Sequence, residues 1–190
     1  FEMIGRWDLK ANPVYFKKHQ IEWIFEWQVD ILGLNPNHLY ITVFKGDPSV
    51  GIDRDDEAIQ IWTELFKAKN IDPKIEEDGE TYGTSRGGRI FLYDANENWW
   101  SRSGQPKNMP IGELGGPDSE MFFDFEPNGD VMDHPASDTG RFLEIGNNVF
   151  MSHQKISENN FAALDKPNID YGGGLERICA AVNSDRDVYN

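Results

Sequence analysis

Residues 141–153 read RFLEIGNNVFMSH, and residues 166–177 read KPNIDYGGGLER. In the first stretch Leu143, Ile145, Asn147, Val149 and Met151 recur at every second position, the period of a strand with one apolar face. In the second, PNIDY leads through Gly172, Gly173 and Gly174 into GLERICAAVN, which has helical spacing. This pair predicts a long strand followed by a strand-to-helix turn. No segment that reads as a helix lies between 119 and 168, so this part of the sheet is expected to be antiparallel.

Outward from this pair, FEMIGRWDL (1–9), LYITVF (39–44), RIFLYD (89–94) and SEMFFDF (119–125) read as further strands. Phe16, Ile21, Ile24, Phe25 and Leu32 fall at helical spacing and predict a helix over about 12–32. Residues 55–69, DDEAIQIWTELFKAK, predict another, with acids in the first turn where the helix dipole favours them. A Gly/Pro-rich loop is expected over 101–118. The fold class that follows is α+β, a mainly antiparallel sheet with flanking helices.

Composition narrows the function. The 190 residues carry a net charge of −15, which argues against a general nucleic-acid binder. No apolar run reaches the roughly 18 residues of a membrane span, so no membrane partner is expected. The single cysteine, Cys179, leaves no internal disulfide and no Cys-rich zinc site. The four histidines show no zinc spacing either, and a reducing, cytoplasmic setting is expected. The chain opens on Phe1 inside an apolar pattern, which suggests a piece of something longer.

Several residues suggest chemistry. Glycines allow a ligand to approach the main chain, and a helix N-terminus attracts anions. Arg177, near that terminus, is unfavourable for the dipole unless an anion lies beside it. A phosphate site and an ordinary turn with a paired arginine both fit. Asp170 suits a cationic group such as an amine, or serves as a turn residue. Asn147 is polar in an apolar row, so it meets either a ligand or a neighbouring segment. Gly146, on the opposite face, leaves room. Trp100 either packs in the core or walls a pocket, and Phe1 either packs or stacks on a heterocycle. Glu120, Asp124 and Glu144 are acids that could help bind Mg²⁺.

The order of FEMIGRWDL, NWW, GGPDSEMFFD, RFLEIGNNVFMSH and KPNIDYGGGLER resembles the catalytic domain of the alanine-specific class II aminoacyl-tRNA synthetases. FEMIG is similar to the second strand of motif 2 and GGGLER to motif 3, so residues 1–190 would be a partial aminoacylation domain. The resemblance implies a class II antiparallel sheet, with ATP and Mg²⁺ as ligands. L-alanine would be the substrate, and alanine tRNA the acceptor for the full-length enzyme. It implies that Asp170 holds the alanine ammonium and Asn147 also contacts the amino acid. Gly172 would keep the pocket floor low. Trp100 would flank the pocket, Phe1 would stack on adenine, and Ile145, Gly146 and Asn147 would line the nucleotide site. Gly174 would lie near ATP, and Arg177, the candidate catalytic side chain, would take the γ-phosphate. Motif 1 and the α-phosphate arginine are expected before Phe1.

The chain departs from the family at three places. The loop before Ser119 lacks the usual cysteines, Tyr171 and Gly173 replace a Thr and a Met, and EIGN replaces EIWN. Nothing resembles the tRNA-recognition, editing or C-terminal oligomerisation parts. A non-catalytic adenylate- or partner-binding module is the alternative reading.

Overall fold

The computed structural model describes residues 1–189; Asn190, the last residue of the expected domain, lies outside the described residues. The chain forms β1 (Met3–Asp8), α1 (Phe16–Phe25), β2 (Leu39–Phe44), α2 (Asp56–Ala68), β3 (Ile75–Glu76) and α3 (Gly79–Tyr82). It continues with β4 (Ile90–Tyr93), β5 (Trp99–Ser101), β6 (Leu114–Asp124), β7 (Phe142–Ser157), β8 (Asn160–Gly174) and α4 (Leu175–Asn183). The strands make one sheet in the order β1-β8-β7-β6-β2-β4-β3, with β5 pairing to β6. Pairing is antiparallel except at β2–β4 and β3–β4, so the expected mainly antiparallel α+β architecture is present.

α1 and α2 cover one face. Ile41, Met121, Ile145, Phe150 and Ile169 of the sheet bury there against Phe16, Ile21, Phe25 and Trp62 of the helices. Burying such side chains stabilises the fold by about 1.5–3 kcal/mol each. The opposite face carries a separate aromatic cluster, Tyr40, Phe91, Tyr93 and Phe142, and beside it a polar region described below.

Four expectations change. The helix over 12–32 begins only at Phe16, because Asn12 and Pro13 form a turn whose Asn12 carbonyl accepts from the Tyr15 and Phe16 amides. Beyond Phe25 it widens to a π-helical turn, Glu26–Ile31, closed by the Leu32 amide donating to the Trp27 carbonyl. The loop over 101–118 is shorter, because Trp99–Ser101 and Gly115–Pro117 pair as strands. A β-carbon on Gly116 would lie 1.9 Å from the Phe150 carbonyl oxygen, so the glycine that read as loop is there for close strand approach.

The glycine run is not a turn. Gly172, Gly173 and Gly174 belong to β8, paired with β1, and none adopts a positive φ. Finally, the alternating row of β7 is broken. Met121 pairs with Gly146 and Phe122 with Glu144, so Ile145 is an extra residue, a β-bulge. The bulge shifts the phase of the strand: Ile145 faces the helix-covered core, while Glu144 and Asn147 both face the open side.

Candidate active site

The three glycines have three different surroundings. A β-carbon on Gly172 would lie 3.2 Å from Met3 Sδ, on the open face. One on Gly173 would lie 2.6 Å from Tyr171 Oη, on the covered face. Gly146 meets the same hydroxyl at the same 2.6 Å, so the space it leaves belongs to Tyr171 and is not open to a ligand. Gly174 is the N-cap residue of α4, and a side chain there would make only ordinary contact with Arg177.

At this strand-to-helix junction lies a cavity of about 280 Å³. Phe1, Glu144, Gly172, Gly174 and Arg177 line it, joined by Met3 and Glu176. Phe1 stands at the mouth, 88% exposed. Arg177, in the first turn of α4, donates from Nη1 to Glu144 Oε2 at 2.8 Å and to the Glu144 carbonyl at 3.2 Å. The anion that its position called for is therefore a carboxylate of β7. Glu176 borders the cavity with its Oε1 engaged, accepting the Glu2 amide at 2.8 Å.

The antiparallel register carries the site across the sheet. Asn147 pairs with Gly172, and Val149 with Asp170, so Asn147, Asp170 and Gly172 share the open face. Trp7 pairs with Asp170 from the other side, and its ring packs over Gly5. Ile145 is fully buried in the core, and only its main chain is available to a ligand. Trp100 stands apart on β5, half-exposed, and does not line the cavity; its neighbour Trp99 packs against Phe44 instead.

Beneath Asn147 is a polar layer that the sequence reading did not anticipate. Asp118 and Glu120 are two residues apart on β6 and point to the same face. Asn98 donates to Thr42 Oγ1 at 2.7 Å and to Asp118 Oδ1 at 3.1 Å. Thr42 donates to Glu120 Oε2 at 3.2 Å, and Asn147 Nδ2 reaches Glu120 Oε1 at 3.4 Å. Burial raises both carboxyls above the ordinary range, and for Glu120 the neighbouring Asp118 and Glu144 add to it. The period-two spacing of Asp118 and Glu120 was a readable signal; the partners Thr42 and Asn98 were not, because they come from distant strands.

For Mg²⁺, both Glu120 oxygens are taken up by Thr42 and Asn147, and Asp124 is bound on the side of Arg141 at 2.7 Å. Glu144 faces the cavity. Among the described residues no three His, Cys, Asp or Glu side chains converge to hold a metal ion. The arrangement fits a cation that arrives on a ligand's phosphates and takes one carboxylate, rather than one held by a protein cage.

The sheet, the motif-like junction and the shared open face define a class: the chain belongs to the family described as tRNA synthetases class II (A), whose profile matches residues 1–190. Within it, the chain is 35% identical over its whole length to the alanine–tRNA ligase of Treponema pallidum (strain Nichols), of which it spans 27%. It is 33% identical to the alanine–tRNA ligase of Bacteroides fragilis (strain YCH46), of which it spans 20%. A third such ligase, from Petrotoga mobilis, is 33% identical, and the chain covers 18% of it. The chain thus corresponds to roughly a quarter or less of these relatives. Among the described residues no helix is long and apolar enough to cross a membrane.

Proposed function

We propose that this chain carries the amino-acid-activating site of an alanine–tRNA ligase, within a partial class II aminoacylation domain in which β1 is the second strand of motif 2 and β8–α4 is motif 3. The observation that carries the reading is the grouping of Asp170, Asn147 and Gly172 on one face, beside a cavity lined by Phe1, Gly174 and Arg177. One end offers a carboxylate and an amide oxygen to an ammonium; the other offers a guanidinium to phosphate. Gly172, with Met3 over it, leaves a floor suited to a methyl-sized side chain.

In the proposed reaction the alanine carboxylate oxygen attacks the α-phosphorus of ATP, the bond to the β-phosphate oxygen breaks, and pyrophosphate leaves. A hydroxyl at the 3′ end of the tRNA then attacks the alanyl carbonyl carbon, the bond to the phosphate oxygen breaks, and AMP leaves with the hydroxyl proton passing to its phosphate or to solvent. No protein nucleophile is needed; the chain orients reactants and neutralises charge. Asp170 and Asn147 hold the amine, so that the carboxylate points along the cavity. Phe1 stacks on adenine, and the main chain of Ile145 and Gly146, with Asn147, borders the nucleotide. Arg177 exchanges its bond to Glu144 for the γ-phosphate, and the Glu144 carboxylate would then be the residue to hold Mg²⁺. Bound Mg²⁺ supplies neutralisation of the triphosphate charge. A cytoplasmic place of action goes with this role.

Calorimetric titration with alanyl-sulfamoyl-adenosine, a non-hydrolysable adenylate mimic, tests the reading. The expected result is binding that exceeds that of the seryl analogue and is lost in Asp170→Ala. A folded chain that binds neither analogue would overturn it.

A further inference from the structure

The Asn147 amide is half satisfied, as is that of Asn98 below it. Asn147 Nδ2 is directed at Glu120, yet its Oδ1 is buried without a partner among the described residues. A buried acceptor left unmet is unfavourable by about 1–3 kcal/mol, so its orientation needs a cause. With Glu120 ionised, the form that an ammonium bound beside it favours, the chain of hydrogen bonds has one direction. Asn98 is fully buried, and its Nδ2 can only donate. Thr42 Oγ1 accepts that bond at 2.7 Å, so its single proton is directed to Glu120 Oε2. Glu120 Oε1 then meets the nitrogen end of Asn147, and the oxygen end is left buried without a partner among the described residues. On the same face stands Asp170, opposite Val149, two residues along from Asn147 on β7.

We propose that Thr42, on β2 and outside the cavity, is a positioning residue for amino-acid binding: with Asn98 and through Glu120 it fixes the Asn147 amide so that its oxygen accepts from the substrate ammonium. The proposal rests on the function proposed above and adds a requirement to it. Without the Thr42 hydroxyl, Asn98 and Glu120 lose their link, and Glu120 is free to move off Asn147. The amide can then turn its NH₂ toward the ammonium, where donor meets donor. The hydroxyl matters and the β-branch does not, so serine should serve and valine should not.

The test compares two ligands that differ only in the amine, alanyl-sulfamoyl-adenosine and its propionyl counterpart, by calorimetry on the wild-type chain, Thr42→Val and Thr42→Ser. The wild-type chain is expected to prefer the alanyl ligand. Thr42→Val should lose about tenfold of alanyl affinity while propionyl affinity is unchanged, and Thr42→Ser should restore the preference. A Thr42→Val chain that keeps the preference overturns the positioning role and leaves the adenylate reading standing. Equal loss for both ligands also overturns it, as the mark of a merely structural residue. A folded wild-type chain that binds neither ligand defeats the adenylate reading, and the positioning role with it. Should Thr42→Val not fold, Glu120→Gln replaces it: its side-chain amide can meet Asn147 in either orientation. The same selective loss is expected, and an unchanged preference overturns the proposal.

Discussion

Asn147 and Asn148 are consecutive on β7 and carry the same side chain, yet they lie in opposite chemical settings. Asn148 faces the helices. Its Nδ2 donates to the Ser119 carbonyl at 3.0 Å and its Oδ1 accepts from Gln20 at 2.9 Å. Gln20 in turn accepts from Arg6 at 2.6 Å. Asn147 faces the open side, with one weak bond and a buried oxygen that has no partner among the described residues. Around Asn148 the covered face is satisfied, and this network holds α1 on the sheet, while Gln28 and the Tyr171 hydroxyl on the same side have no hydrogen-bond partner among the described residues. The open face keeps an acceptor and several carboxyls without cationic partners, a state that favours stability less and ligand binding more. One strand thus divides stability and recognition between its two sides.

Substitutions that separate the two faces can break this contrast. The largest loss is expected from Phe150→Ala on the covered face, where the ring packs edge-on to Phe16; about 3–5 kcal/mol should disappear from the unfolding free energy in a urea titration. Asn148→Ala should follow at about 2–4 kcal/mol, because Gln20 and the Ser119 carbonyl are left buried without partners. A loss below 1 kcal/mol there would show that α1 docks without that network.

The acidic layer gives a smaller effect with a definite sign. Burial raises the folded-state pKa of Glu120 and Asp118, so the stability they contribute is fully present at low pH and is lost as pH rises. With Glu120 pushed up to about 9, the thermal midpoint should decline between about pH 5 and 9. Glu120→Gln should flatten that decline, each kcal/mol regained at the high end moving the midpoint by about 2–4 °C. A wild-type midpoint that rises across this range would contradict the assignment. Smallest of all, Asn147→Ala should change the unfolding free energy in urea by less than about 0.5 kcal/mol, since loss of its one long bond is offset by removal of an unmet buried oxygen. The same variant should bind alanyl-sulfamoyl-adenosine about tenfold more weakly, which sharpens the contrast with its neighbour.

Much of this was legible in the chain. LYITVF became β2 at the expected residues, and the acids ahead of IQIWTELF begin α2, where Asp55 accepts the Ala58 amide as its cap. Asp170, Asn147, Gly172 and Arg177 were singled out from residue type and order, and the fold gathers them at neighbouring positions. The misses share one origin. Period-two reading assumes an unbroken strand, and the bulge at Ile145 violates that assumption. Gly116 and Gly173 were read as loop and turn glycines and Gly146 as leaving room, but all three are small because another strand's carbonyl or the Tyr171 hydroxyl needs the space. For Gly116 and Gly146 those neighbours come from distant stretches of the chain and leave no local mark.

What the sequence determined alone was the kind of structure and the kinds of chemistry. Side-chain periodicity and capping are local, so they set the strands, the helices and the α+β class, and the order of motifs pointed to the synthetase family. What only the tertiary structure decided was facing. A single extra residue at Ile145 brings Glu144 and Asn147 to the same side, and the pairing of β6 with β2 brings Thr42 under Glu120. Facing depends on register between strands distant in sequence, a sum of contacts that no short window of residues contains.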